Sequence, residues 1–269
     1  MCELFALSAS APVDIKLSLG ELAQHGGETG IHAHGWGVAF LEGADVRLIR
    51  DPSAAAFSPW VRCLQDHPIR SDTVLAHIRH ATQGAIALAN TQPFVRELWG
   101  RAHVFAHNGD LGEGIVRDHA GPHRFEPIGE TDSETAFCVL MDRLAGTADP
   151  ETSEGTDRLF AAFAAFAREI RDHGPANIIY ASDGGLLVHA DRRTQRPGVI
   201  EPPGLWLLER QCRAQSQSTF AGAGVSVAGV ALNVALIASV PLTSECWQPL
   251  VRGTMLELRA GRVVSRQVI

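Results

Sequence analysis

A thiol stands at the second position of the chain, where Cys2 follows Met1 directly. Removal of Met1 would expose a free α-amino group on the same residue as the thiol, and such a group has a pKa of about 7.7–8.0. This amine can accept the thiol proton near neutral pH, directly or through one water. Cys2 could therefore supply both a nucleophile and its base, whereas on its own a small cysteine in a first strand is more often a core residue.

Three further segments carry polar groups that could serve a reaction at Cys2. Arg79 ends a predicted strand and offers a planar, permanently charged group that matches a carboxylate. Asn108 and Gly109 place a side-chain amide beside a backbone N–H, and two such donors can stabilise an oxyanion. Asp132 lies in a predicted capping box, residues 131–134. Taken singly, these segments are more typical of a surface ion pair, a hairpin turn and a helix cap than of a reactive site.

The elements that position these residues follow an α+β pattern, with runs of strands towards both ends and helices between them. The Asn108-Gly109 pair predicts a turn that ends the strand before it. We expect one domain over residues 1–269. The patterns predict helices over 15–25, 54–66, 135–144 and 158–171, and strands over 4–9, 36–40, 46–50, 73–79, 102–107, 177–181, 186–189, 205–208, 232–240, 254–259 and 263–267.

Composition is that of a globular protein, with 45% hydrophobic residues and a formal net charge of -7. An acidic balance argues against nucleic acid as the main partner, because phosphate contacts need clustered Lys and Arg. The five cysteines are widely spaced and form no CxxC pair, so neither a disulfide framework nor a zinc motif is expected. The start of the chain lacks the basic region of a signal peptide, and a cytoplasmic location is expected.

Two other features of the sequence, a charge-free segment and a set of histidine pairs, have simpler explanations than a membrane span or a metal site. Residues 214–244 carry no charge, but the segment is rich in Gly, Ser and Ala, so a buried strand is expected there and not a membrane helix. The histidine pairs do not supply three converging ligands with outer support, so no metal and no other cofactor is expected. These pairs are His32/His34, His77/His80 and His103/His107.

Six motifs in order resemble a known family. They are Met-Cys at 1–2, GWGVAF at 35–40, HIRHATQG at 77–84, NTQPF at 90–94, HNGDL at 107–111 and TDSE at 131–134. Together they resemble the class II glutamine amidotransferases, which belong to the N-terminal-nucleophile (Ntn) hydrolases, and most of all the stand-alone YafJ-like members. The resemblance covers the first half of the chain and continues more loosely in ASVPLTSECW at 238–247.

The resemblance implies a fold and a set of roles. The fold would be a four-layer αββα sandwich of two antiparallel sheets, the Ntn-hydrolase fold. Cys2 would be the nucleophile after Met1 is removed, and Asn108 and Gly109 would form the oxyanion hole. Arg79, assisted by Thr82, would bind the α-carboxylate of glutamine, and Asp132 its α-ammonium.

The expected reaction is hydrolysis of a γ-glutamyl amide through a γ-glutamyl thioester, releasing ammonia and glutamate. Two alternatives stay open: hydrolysis of a larger glutathione-like or sulfur-metabolite conjugate, and a non-catalytic subunit that senses glutamine or docks on a synthase. No synthase domain is recognisable in the sequence, so the expected partners are glutamine or a γ-glutamyl small molecule and a separate ammonia-accepting protein. Assembly into a homo-oligomer also stays open as an alternative to a monomer. No nucleic-acid or membrane partner is expected.

Overall fold

Two antiparallel sheets form the centre of the protein in a computed structural model that describes residues 2–112, 114–115, 123–147, 153–212 and 232–269. The first sheet has seven strands: β1 (Glu3–Val13), β2 (Trp36–Glu42), β3 (Asp45–Asp51), β4 (Ser71–Ile78), β11 (Trp206–Cys212), β12 (Leu232–Ala238) and β13 (Gln248–Pro249). Their order in the sheet is β13-β11-β12-β1-β4-β2-β3.

The second sheet has six strands: β5 (Phe94–Leu98), β6 (Arg101–Gly109), β7 (Ala176–Ser182), β8 (Gly185–Ala190), β14 (Thr254–Arg259) and β15 (Arg262–Val268). Their order in the sheet is β15-β14-β8-β7-β6-β5. Two further strands, β9 (Arg193–Arg196) and β10 (Val199–Glu201), form a separate antiparallel pair.

Four helices cover the outer faces of the sheets within the described residues: α1 (Lys16–His25), α2 (Pro59–Asp66), α3 (Asp132–Ala145) and α4 (Ser153–Ile170). Alternation along β1 shows how the layers are built, because successive side chains of a strand point to opposite faces. Phe5 packs in the apolar cluster that contains residues of α1 and α2, whereas Leu4 packs between the sheets against residues of the second sheet. On the far side, Phe105 of β6 packs with Phe137 of α3.

This architecture confirms the predicted fold class, an α+β sandwich of two antiparallel sheets with helices outside. The predicted helix over 15–25 is confirmed as α1, and the predicted capping box begins α3, where Thr131 Oγ1 accepts from the Glu134 N–H at 3.3 Å. The predicted helix over 54–66 is wrong in its first part. Ala55–Phe57 forms a 3₁₀ turn, and Ser58 is extended because the residue before a proline disfavours helical ψ angles.

The predicted turn at Asn108-Gly109 is also wrong. Strand β6 runs through both residues, and they pair with Asn177 and Ala176 of β7. Left-handed φ occurs only three residues later, at Gly112, where φ is 64°. The pairing with β7 therefore overrides the local preference of Asn-Gly for a turn.

The charge-free segment is only partly described. Residues 232–238 form β12, in agreement with the predicted strand, and residues 214–231 lie outside the described part of the chain. Within the described ranges, no helix combines the length and the apolar character needed to span a membrane.

Candidate active site

The candidate residues meet at one end of the sandwich. Cys2 precedes β1, Arg79 follows β4, Asn108 and Gly109 end β6, and Asp132 begins α3. One pocket is lined by Cys2, Arg79, Thr82, Gly109 and Asp132, together with His80, Ala81, Gln83, Gln92, His107, Thr131 and Ser133. The fold thus brings five of the six predicted site residues to one pocket, and Asn108 is buried beside it in β6.

The Cys2 thiol is held by the backbone of His80. It donates to the His80 carbonyl at 3.6 Å and accepts from the His80 N–H at 3.3 Å. Burial raises the pKa of the thiol above its ordinary value, and this effect exceeds the opposing influence of the His80 N–H and the Arg79 charge. A thiol in this environment is protonated near neutral pH, so it needs a neighbouring base before it can attack.

The Arg79 guanidinium organises the loop that follows it. Its Nη1 donates to the Ala85 carbonyl at 2.9 Å, and its Nη2 donates to the carbonyls of Gln83 and Gly84 at 2.8 and 3.2 Å. The side chain is buried, and burial lowers its pKa, although arginine stays charged at any ordinary pH. Arg79 therefore places a buried positive charge at the pocket while it fixes the loop that carries Thr82, whose side chain is exposed.

Asn108 and Gly109 occupy tightly constrained positions at the end of β6. The Asn108 side chain is fully buried, and its Nδ2 donates to the Ser239 hydroxyl at 3.0 Å. A Cβ on Gly109 would lie 1.6 Å from the Pro175 carbonyl oxygen, so no side chain fits there without moving β6 or β7. The close packing explains why glycine, and no larger residue, stands at this edge of the pocket.

Asp132 supplies a buried carboxylate in the first turn of α3, where the helix dipole favours negative charge. One carboxylate oxygen accepts from the Leu111 N–H and the other from the Ser133 N–H, each at 2.7 Å. Oδ1 also accepts from the Ser133 hydroxyl at 3.2 Å. Each carboxylate oxygen has two lone pairs, so these bonds orient the group and leave Oδ2 able to accept from a cation. The pocket thus contains a positive group at Arg79 and a negative group at Asp132.

Two further pocket residues, Gln92 and His107, are not among the predicted site residues. Gln92, within the NTQPF motif, accepts from the His107 N–H through its Oε1 at 2.6 Å. His107 in turn contacts the Ser133 hydroxyl at 2.9 Å and the Pro175 carbonyl at 3.1 Å through its two ring nitrogens. Burial lowers the pKa of His107, so its imidazole is neutral and serves as a hydrogen-bonding spacer between β6, α3 and β7.

The histidine pairs form no metal site in the described part of the chain, where no cluster of three metal-binding side chains is found. Burial lowers the pKa of His77 to about 3, so this histidine is neutral at ordinary pH. His103 contacts the Tyr180 hydroxyl and the Leu98 carbonyl, which places it in the packing of the second sheet. His34 and His80 stack at 5.1 Å between ring centroids beside Cys2.

Comparison with known proteins identifies the family. The model of the class II glutamine amidotransferases matches residues 1–268 of the chain. The chain belongs to the class II glutamine amidotransferases. This membership confirms the family that the six sequence motifs indicated.

Two relatives match this chain over most of their own length. YafJ of Escherichia coli (strain K12), named as a candidate glutamine amidotransferase, is 38% identical over 255 residues, which cover 94% of this chain and 95% of YafJ. A similarly named protein of Haemophilus influenzae is 33% identical over 269 residues, covering 100% of this chain and 87% of that protein. The resemblance to YafJ-like members is therefore confirmed.

Solved structures agree with the fold. The crystal structure of a predicted glutamine amidotransferase from Pseudomonas aeruginosa is 31% identical, has a TM-score of 0.68, and is aligned over 98% of this chain and 100% of that one. The glutamine phosphoribosylpyrophosphate amidotransferase of Bacillus subtilis has a TM-score of 0.64 at 13% identity, over 99% of this chain and 49% of that chain. At this identity the second likeness concerns the fold alone.

Proposed function

We propose that the chain hydrolyses the side-chain amide of glutamine or a close γ-glutamyl relative, with Cys2 as the nucleophile. The observation that carries this proposal is the pocket in which a buried cation at Arg79 and a buried carboxylate at Asp132 accompany the Cys2 thiol. An amino acid has a carboxylate and an ammonium group at one end, and these two side chains match both charges. Family membership supports the same chemistry.

The proposed first half-reaction begins after Met1 has been removed. The free α-amine of Cys2 accepts the thiol proton, and the thiolate attacks the γ-carbonyl carbon of the substrate. The Asn108 side-chain amide and the Gly109 N–H stabilise the tetrahedral oxyanion. Collapse of this intermediate breaks the C–N bond, and the Cys2 α-ammonium returns the proton to the departing amine. Ammonia leaves and a γ-glutamyl thioester remains.

The second half-reaction removes the acyl group. The free amine of Cys2 accepts a proton from a water molecule, which attacks the thioester carbonyl. The oxyanion is stabilised by the same two donors, and collapse releases the Cys2 thiolate, which recovers a proton from the ammonium. The products are glutamate and the resting enzyme, so atoms and charges balance over the cycle. Burial raises the pKa of the Cys2 thiol, and a protonated thiol needs a base before it can attack.

The test compares two cysteine variants. Cys2→Ala is expected to reduce release of ammonia from glutamine to background, whereas Cys63→Ala is expected to keep the wild-type rate because Cys63 is an exposed residue of α2. Undiminished hydrolysis by the Cys2→Ala protein would contradict the proposal. A thiol-reactive glutamine analogue, followed by intact mass measurement, is expected to add one label to the wild type and none to Cys2→Ala.

The same assay addresses the other interpretations of the site. A panel that includes larger γ-glutamyl amides, compared by kcat/KM, identifies the preferred donor. Tight glutamine binding without turnover or labelling would instead support a non-catalytic sensor. The ammonia-accepting partner is proposed to be a separate protein, and its presence would be detected as transfer of amide nitrogen without release to solvent.

A further inference from the structure

A buried hydrogen-bond chain connects the end of β6 to the segment after β12. The Asn108 amide is fully buried, and its Nδ2 lies 3.0 Å from Ser239 Oγ. Its Oδ1 is also buried, and no partner for that oxygen is found among the described residues. Such an orphaned buried acceptor is uncommon in proteins, so the arrangement calls for a physical explanation.

Hydrogen bonds to both its backbone and its side chain hold Ser239 in place. Its N–H donates to the Leu4 carbonyl at 3.0 Å, and its Oγ accepts from the Leu4 N–H at 3.0 Å. Its own carbonyl accepts from Arg193 Nη1 at 2.6 Å. Ser239 is 1% exposed, so water does not compete for these bonds. The Ser239 hydroxyl is therefore held against the backbone of Leu4, which is two residues after Cys2 in the chain.

Counting donors and acceptors distinguishes two orientations of the Asn108 amide. A serine hydroxyl has one donor and two acceptor positions. With Nδ2 facing Ser239, the Leu4 and Asn108 N–H groups fill both acceptor positions. The hydroxyl hydrogen and Asn108 Oδ1 are then both without a partner in the described part of the chain. With the amide turned by 180°, the hydroxyl donates to Oδ1 and still accepts from the Leu4 N–H.

The turned orientation also changes what Asn108 presents on its other side. Nδ2 then occupies the place of the unpaired oxygen, so the free group of the buried amide is an N–H donor and not an acceptor. An oxyanion hole needs a donor that is already oriented before charge develops, because reorientation during the reaction would reduce its benefit. A carbonyl oxygen at that place would repel the developing negative charge.

We propose that Ser239 is a positioning residue for this amide. Its hydroxyl donates to Asn108 Oδ1 and thereby keeps Nδ2 available for the oxyanion formed during attack by Cys2. This inference rests on the proposed function. Ser239 itself touches neither substrate nor thiol in this role; it acts through Asn108, and Leu4 and Arg193 hold it in place.

The first experiment separates this role from a purely structural one. Ser239→Ala is expected to lower kcat for glutamine about 10–100-fold with KM within about twofold, because only the oxyanion donor is affected; loss of a whole donor costs about 10²–10³-fold. Ser8→Ala is the matched control. Ser8 is also buried and also accepts from a backbone N–H, that of Gly261 at 3.0 Å, and its variant is expected to keep kcat within about twofold.

A double-mutant cycle with Asn108→Ala gives the decisive result. If Ser239 acts through Asn108, adding Ser239→Ala to Asn108→Ala is expected to lower kcat by less than about twofold. An undiminished effect of Ser239→Ala in that background would overturn the proposal. Ser239→Thr keeps the hydroxyl and is expected to keep most of kcat, so a Thr variant that folds but is as slow as Ala would also overturn it.

Two controls separate this inference from the proposed function. Alkylation of Cys2 by iodoacetamide needs no oxyanion hole and is expected to proceed at the wild-type rate in Ser239→Ala. If the wild type hydrolyses glutamine through Cys2 and Ser239→Ala matches Ser8→Ala in kcat, then the positioning role of Ser239 is wrong and the proposed function stands. If the wild type neither hydrolyses a γ-glutamyl amide nor is labelled at Cys2, both the proposed function and this inference are wrong.

Discussion

Gln83 and Asp110 are hydrogen-bonded across the mouth of the pocket, where Gln83 Nε2 donates to Asp110 Oδ1 at 2.9 Å. The backbone carbonyl of Gln83 also accepts from Arg79. Asp110 in turn accepts from the Gly112 N–H at 3.0 Å. The loop after β4 is thus tied both to the buried guanidinium beneath it and to the segment after β6 on the opposite side.

Loss of the hydrogen bond between Gln83 and Asp110 is expected to weaken substrate binding. Gln83→Ala is expected to raise KM for glutamine about 2–10-fold with kcat within about twofold, because this hydrogen bond, although exposed, is expected to contribute about 0.5–1.5 kcal/mol. Larger γ-glutamyl amides are expected to gain in relative kcat/KM as the mouth opens. Steady-state kinetics with both substrate classes measure these changes.

Two conservative variants serve as controls for the hydrogen bond between Gln83 and Asp110. Asp110→Asn retains an acceptor oxygen and is expected to stay near the wild type. Glu169→Gln removes an exposed ion pair between α3 and α4, 2.6 Å from Arg143, and is expected to leave KM unchanged. A fall in kcat with unchanged KM in Gln83→Ala would contradict a role in closing the pocket.

The carboxylate of Asp132 is expected to recognise the substrate ammonium. Asp132→Asn keeps an acceptor for the Leu111 N–H but loses the charge, so KM for glutamine is expected to rise about 10–100-fold, the equivalent of a charge-assisted hydrogen bond. Glutaramate has the amide and the carboxylate but no ammonium. Its KM is expected to change less than about threefold.

The control for this prediction lies on the same helix. Asp142→Asn alters a carboxylate of α3 that pairs with His123 at 3.2 Å outside the pocket, and its kinetics are expected to match the wild type. An equal rise in KM for glutamine and glutaramate in Asp132→Asn would show a general disturbance of the pocket and not loss of an ammonium partner.

Local sequence predicted the parts of the structure that are determined locally. The start of α3 follows from Thr131 and the residues after it, because a cap involves only neighbours along the chain. Pro59 is also a local signal, because a proline favours the start of a helix and disfavours its interior. The predicted helix over 54–66 did not take Pro59 into account, and α2 begins at that residue. The family motifs predicted the residues that the fold gathers around one pocket.

Tertiary pairing explains what the sequence did not predict. Asn108-Gly109 has the composition of a turn, but its pairing with β7 keeps it in a strand. The contact between Asn108 and Ser239 joins residues 131 positions apart, and no local pattern encodes such a contact. Strand β5, in which Phe94 pairs opposite Phe105 of β6, was also absent from the predicted elements, although only residues 99 and 100 separate the two strands.

The α-amine of Cys2 is expected to be essential, which makes removal of Met1 a requirement. Met1 lies outside the described residues, and intact mass is expected to show that the mature chain begins at Cys2. A variant with an alanine inserted between Met1 and Cys2 would place the free amine one residue away and convert the amine of Cys2 into an amide. Glutamine hydrolysis is expected to fall about 10²–10⁴-fold, the usual contribution of a general base.

Thiol chemistry separates a lost base from a lost nucleophile in the insertion variant. Cys2 in that variant is expected to remain reactive towards iodoacetamide at high pH, where no internal base is needed. The melting temperature is the accompanying check of folding. Full activity of a chain whose measured mass includes the inserted residue would exclude the α-amine as the base.

A partly buried ion pair next to the nucleophile in the chain is expected to make stability depend on pH. Glu3 Oε2 lies 2.7 Å from His25 Nδ1, at the end of α1. Burial alone would raise the pKa of Glu3, but the hydrogen bond and charge of His25, with help from His32 and Arg193, bring it below the ordinary value. The Glu3 hydrogen bond raises the pKa of His25 against the opposing effect of burial.

The directions of these two pKa shifts define the pH window. The contribution of Glu3 is present above its unfolded pKa of about 4.3 and is lost as pH falls through its lower folded pKa. The contribution of His25 is fully present below its unfolded pKa of about 6.5 and is lost as pH rises through its higher folded pKa. The pair is therefore expected to stabilise the fold most between about pH 4.5 and 6.5.

Replacement of His25 tests this window. His25→Gln is expected to lower the free energy of unfolding by about 1 kcal/mol near pH 5.5, with a smaller loss at pH 8.5, because the wild-type histidine loses its charge as pH rises through its folded pKa. Urea unfolding at several pH values measures the difference. His67→Gln changes an exposed histidine just after α2 and is expected to have little effect at either pH. A loss in His25→Gln that is the same at pH 5.5 and 8.5 would mean that packing, and not the charge of His25, stabilises this corner of the fold.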